Sequence, residues 1–87
     1  MATFKVVVAA EVQKDLRHIS RMDRDRIIQR IKALAGNPRP AGSRKLKGRD
    51  LYRIRQGDYR ILYEIRDKTL VVFVVRVGHR REVYRGE

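Results

Sequence analysis

The 87-residue sequence predicts a single α+β domain spanning residues 1–87, with two N-terminal helices packed on one face of a small antiparallel sheet. Three observations carry that expectation. The apolar period changes from helical to alternating partway along the chain, and that change separates a helical part from a strand part. Two very short polar breaks divide the strand part, and short connections force neighbouring strands to run antiparallel. Hydrophobic residues make up 43% of the chain and fall in periodic runs, which suits a folded domain with one modest core.

The elements follow in the order β-α-α-β-β-β. Residues 3–8 contain Phe4, Val6, Val7 and Val8, a β-rich composition that predicts the first strand. From Ala9 the period becomes helical, with Val12, Leu16 and Ile19 on one stripe and Glu11, Lys14, Asp15 and Arg17 between them. Asp23 is a suitable N-cap for a second helix whose buried stripe is Ile27, Ile28, Ile31, Leu34 and Ala35. Gly36-Asn37-Pro38-Arg39-Pro40 ends it, since glycine suits the C-cap and proline cannot continue a helix. Residues 39–49 read as a basic connecting loop. Strands follow at 51–55 and 59–65, separated by Gln56-Gly57-Asp58, and at 70–78 after Asp67-Lys68. The last strand is apolar on both faces, which places it inside the sheet. The helices can cover only one face, and alternation puts arginines on the other.

Charge is the strongest compositional signal. Lys and Arg number 22 against 10 Asp and Glu, a net charge of +12. So much like charge in a small domain repels itself unless a polyanion is near, which points to nucleic acid, an anionic surface or an acidic protein segment. The absence of cysteine favours the cytoplasm, and the N-terminus lacks the cationic-then-apolar pattern of a signal peptide. The longest apolar run, residues 70–75, is far below the roughly 18 residues of a membrane-crossing helix, so no membrane association is expected.

Two clusters could carry chemistry. Between residues 39 and 60 stand Arg39, Arg44, Lys45, Lys47, Arg49, Arg53, Arg55 and Arg60. Arg53 and Arg55 are two apart on a strand and leave the same face, with Arg60 within reach on the next strand. Converging guanidinium groups suit a phosphate, because each offers a planar fork of donors and keeps its charge. The second cluster is the C-terminal run from Arg76 to Arg85, which holds Arg80, Arg81, Tyr84 and His79. Histidine exchanges a proton near neutral pH, and a tyrosine can stack on a base. Solvated surface charge is the plain alternative for these residues, and His18 is read as an ordinary helix residue without a role. No cysteine or metal-spaced His/Asp/Glu cluster is present, nor a glycine-rich phosphate loop, so neither a metal nor another cofactor is expected.

Leu51-Tyr-Arg-Ile-Arg-Gln-Gly-Asp-Tyr-Arg-Ile-Leu-Tyr-Glu-Ile65, followed by Val71-Val-Phe-Val-Val-Arg-Val-Gly-His-Arg-Arg-Glu-Val-Tyr84, resembles the RelE/ParE toxin superfamily, its RelE branch most closely. Arg44-Lys-Leu-Lys-Gly48 is similar to the family's lead into its second strand, and the element order agrees. The resemblance implies a type II toxin that enters the ribosomal A site and cleaves messenger RNA there without a metal, leaving a cyclic phosphate. It places substrate gripping and base action on Arg53 and Arg55, transition-state stabilisation on Arg60, leaving-group assistance on Arg80 and base stacking on Tyr84. Arg44, Lys45, Lys47, Arg49, Arg76 and Arg81 would add contacts to RNA. RelE enzymes commonly have lysines at the positions of Arg53 and Arg55. Arginine does not release its proton, so His79 becomes the candidate base. The resemblance also implies a cognate antitoxin, and the +12 charge implies that its covering segment is acidic. The ParE branch, which shares the scaffold and poisons DNA gyrase without cutting RNA, is the alternative.

Overall fold

A computed structural model describes residues 3–79. Strand β1 (Lys5–Val8) leads into α1 (Ala10–Arg17) and α2 (Arg21–Ala33), followed by β2 (Arg44–Lys45), β3 (Tyr52–Gln56), β4 (Tyr59–Arg66) and β5 (Val71–His79). The five strands form one sheet in the order β1-β5-β4-β3-β2. The α+β class and the helix pair preceding the main strands hold.

Two features of the sheet differ from the expectation. The sheet is mixed, because β1 runs parallel to β5, with Lys5 opposite Val71 and Val8 opposite Val74. The intervening helices supply the long return that a parallel pairing needs. The second difference is β2, a two-residue strand inside the expected loop. Arg44 pairs with Arg53 and Lys45 with Tyr52, and the Leu46 amide donates to the Leu51 carbonyl at 2.8 Å to close the connection.

Helix termini also depart from the reading. Ser20, not Asp23, caps α2, its Oγ accepting from the Asp23 amide at 3.5 Å while Asp23 occupies the first turn. Asp23 there suits the positive end of the helix dipole, so both residues serve the start in different roles. At the other end Gly36 does not take the left-handed conformation. The helix tightens instead into three-residue turns, with the Leu34, Ala35 and Gly36 amides donating to Ile31, Lys32 and Ala33 carbonyls. The β3–β4 turn does use its glycine. Gly57 sits at φ 60° between Gln56 and Tyr59, the geometry of a two-residue hairpin with glycine at its first central position.

One core forms between the helices and the sheet. Val12, Ile19, Ile27, Ile31 and Leu34 meet Ile54, Ile61, Tyr63, Val72, Val74 and Val77. Tyr59, Tyr63 and Ile61 share this inner face as alternation requires, and Tyr63 is fully buried. Its hydroxyl donates to the Pro38 carbonyl at 2.8 Å, which ties the chain leaving α2 to the middle of β4. Arg39, one residue on, forks onto Asp67 at 2.9 and 3.1 Å and lies over the Tyr52 ring, 5.3 Å from its centroid. Asp67 belongs to the β4–β5 turn, so the segment is anchored twice, in the core through Pro38 and at the surface through Arg39.

Candidate nucleic-acid interface

Alternation along the strands turns Arg53, Arg55, Arg60, Leu62 and Glu64 away from the helices. Register then makes two like-charged pairs on this far face, Arg44 directly opposite Arg53 and Arg55 directly opposite Arg60. Opposed like charges on adjacent strands destabilise a sheet, so this arrangement favours a bound anion. The four arginines come from three strands and are brought together by the Gly57 hairpin and the short β2 pairing.

The face is not uniformly open. Arg53 is only 7% exposed and Leu62 is fully buried, although the helices lie on the other side. Leu62 is flanked in register by Arg53 on β3 and Arg76 on β5, and long arginine stems cover apolar surface in this way. Arg55 is exposed and Arg60 half-buried. One Arg60 guanidinium nitrogen donates to the Tyr59 and Gly57 carbonyls at 3.2 and 3.4 Å, which folds the side chain back over the hairpin. Arg30 was not among the sequence candidates. It reaches from α2 to donate to the Arg55 carbonyl at 3.3 Å, and its Nε is buried without a hydrogen-bond partner. Its position three residues after Ile27 of the apolar stripe is the one signal in the sequence that it would face the sheet.

Arg44, Lys45, Lys47 and Arg49 lie on or beside β2 and are all exposed, with Lys45 at 4.0 Å from Asp50. Arg76 is engaged elsewhere, forking onto Asp15 of α1 at 3.1 and 3.3 Å. His79 pairs with Tyr59 across the β4–β5 ladder, their rings meeting edge-on with centroids 6.1 Å apart. Directly opposed residues share a face, so His79 lies on the Tyr59 side and Gly78 is the residue opposite Arg60. The structure therefore brings Arg44, Arg53, Arg55 and Arg60 together and leaves His79 at the end of the sheet, on its other side. Arg80, Arg81 and Tyr84 lie outside the described residues. Among the described residues no group of three His, Asp or Glu side chains could hold a metal ion, and no helix is long and apolar enough to cross a membrane.

A mixed five-stranded sheet with two helices on one face is the fold of the RelE/ParE class of type II toxins. It is similar to the archaeal RelE–RelB complex from Pyrococcus horikoshii, at 26% identity over 93% of this chain and 99% of that one, with a TM-score of 0.78. The RelB–RelE antitoxin–toxin complex from Methanococcus jannaschii is 32% identical over 92% and 96% of the two chains, with a TM-score of 0.71. The intact RelBE toxin–antitoxin complex from E. coli is 28% identical over 87% and 95%, with a TM-score of 0.74. The family model for the ParE toxin of type II toxin–antitoxin systems, parDE, matches residues 6–84, and the chain belongs to that family. No curated protein matches the sequence.

Proposed function

We propose that this toxin is a ribosome-dependent endoribonuclease that cleaves messenger RNA in the A site and so inhibits translation. The observation that carries the reading is the pair of opposed arginine pairs, Arg44–Arg53 and Arg55–Arg60, on the face away from the helices. The chemistry needs no external nucleophile. The ribose 2′-oxygen attacks the adjacent phosphorus, its proton passes to a base, and the 5′-oxygen leaves with a proton, which yields a cyclic phosphate. Arg53 and Arg55 grip the backbone, and Arg60 faces the charge that develops on the phosphorane, where preorganised cations act most strongly. Arg80 assists the leaving oxygen and Tyr84 stacks on a base. His79 is not the base in this reading, because it lies on the other side of the sheet from these arginines, and arginine itself keeps its proton. Arg44, Lys45, Lys47, Arg49 and Arg81 add electrostatic affinity, whereas the guanidinium of Arg76 is taken up by Asp15. No metal or other cofactor takes part.

The partners are the ribosome with its message and a cognate antitoxin, in keeping with the antitoxin-bound relatives from P. horikoshii and M. jannaschii. The +12 charge calls for an acidic covering segment, and the reading places the protein in the cytoplasm. A ParE-like gyrase poison is the second reading, favoured by the family model that matches.

The test is a translation reaction programmed with a defined message, with its ends mapped by primer extension. Cuts confined to the A site, and lost in Arg60→Ala and Arg80→Ala, are expected. An intact message with normal translation overturns the reading, and inhibition of supercoiling by the same preparation then selects the gyrase alternative.

A further inference from the structure

We infer that Asp15 is a positioning residue for the end of β5, and through it for the chemistry proposed above, on which this inference rests. β1 pairs with β5 only as far as Val74, whose carbonyl takes the Ala9 amide at 2.9 Å. Among the described residues, no strand continues the ladder on that side of residues 75–79. The other side of β5 is irregular at the same level, because Leu62 pairs with Arg76 and Tyr63 with Val74, leaving Val75 as an extra residue. A bulge shifts the alternation of a strand by one. The Val77 amide therefore faces the vacated edge.

α1 fills that edge with one carboxylate. Asp15 Oδ2 accepts from the Val77 amide at 3.0 Å and from Arg76 Nε at 3.1 Å, while Oδ1 accepts from the second Arg76 nitrogen at 3.3 Å. The Asp15 side chain is 14% exposed and that of Arg76 29%, so water competes weakly for these contacts. Two consecutive residues of β5, one through its backbone and one through its side chain, are held by a single group on a helix. The next two residues are Gly78, opposite Arg60, and His79, opposite Tyr59. Asp15, Tyr59, Arg76 and His79 line one cleft of about 240 Å³. Asp15 belongs to α1 and not to the strands that carry the opposed arginines, and its effect is to fix where β5 ends relative to Arg60.

The test combines single-turnover cleavage on programmed ribosomes, ribosome affinity, and hydrogen exchange at the Val77 amide, in Asp15→Ala and Asp15→Asn. Asn keeps one acceptor oxygen and the size of the side chain, so it guards against a variant that fails to fold. Faster Val77 exchange in both is expected, with cleavage falling tenfold or more in Asp15→Ala, less in Asp15→Asn, and ribosome affinity within twofold of the parent. Misplacement of about 1 Å at a reacting centre costs up to roughly a hundredfold. Wild-type cleavage despite faster Val77 exchange overturns the inference. So does unchanged exchange, or a rate loss matched by lost ribosome binding or by the unfolded fraction. If the parent protein leaves the message intact, the endoribonuclease reading has failed on its own. Asp15 is then judged by Val77 exchange and by inhibition of gyrase in the same variants.

Discussion

Replacing Tyr63 by Phe removes one oxygen from the centre of the molecule. Tyr63 is fully buried in β4, and its hydroxyl donates to the buried Pro38 carbonyl at 2.8 Å. The substitution loses that hydrogen bond and leaves the carbonyl without its donor. The net loss is about 1.5 to 2.5 kcal/mol, since an abandoned buried partner costs more than the bond alone. In a domain of this size the fall in Tm is of the order of 10 °C. The same bond predicts a pH signature. Burial pushes the Tyr63 hydroxyl up from 10.0 to about 12, because the charged phenolate is poorly solvated there. A group whose folded pKa is raised contributes stability that is complete below its unfolded value and is lost as pH climbs through the folded one. The advantage of the parent over Tyr63→Phe is thus constant up to about pH 10 and shrinks between pH 10 and 12. Urea denaturation of both proteins at pH 8, 10 and 11.5 measures it. A difference under about 0.5 kcal/mol at pH 8, or one that does not change by pH 11.5, refutes the reasoning.

Three further outcomes follow from the same geometry. Ile61→Ala opens a cavity at a fully buried position and should cost about 2 to 5 kcal/mol in the same denaturation assay. Asp67 is held below its ordinary value of 3.8 by its hydrogen bonds to Arg39. Its contribution is therefore present above that value and fades as acid takes the pH below it, so Asp67→Asn should flatten that part of an acid titration. Binding of a single-stranded RNA should weaken steeply with salt, and Arg55→Ala should lower the slope of log affinity against log salt by about one, read by fluorescence anisotropy.

The strand part of the fold was legible because alternation is a local signal. Tyr59, Ile61 and Tyr63 announce an inner face, and the Gly57-Asp58 turn sets their register against β3. Pairing between distant segments leaves no such local mark. Nothing in Lys5 to Val8 says that its neighbour is β5 and that the two run parallel, and Arg44–Lys45 becomes a strand only because Arg53 and Tyr52 lie beside it. Arg53, Arg55 and Arg60 were legible as a shared face, whereas the place of Arg44 opposite Arg53 and the like-charge pairing waited on the register. The place of His79 was hidden by the extra residue at Val75, since one bulge changes which side every later residue takes. Asp15 had a faint signature. An acidic residue beside Val12, Leu16 and Ile19 borders the buried stripe of α1, where a charge needs a partner.

The parallel pairing of β1 with β5 also sets the order in which a growing chain can fold. β1 is made first, yet Lys5 has no ladder partner until Val71 has been synthesised. The inner-face residues Val72, Val74 and Val77, which complete the core against α1 and α2, arrive at the same late stage. Closing so distant a contact is slow and depends on nearly the whole sequence being available. A nascent chain stopped before residue 71 therefore lacks both the complete sheet and the surface on which its first helix docks.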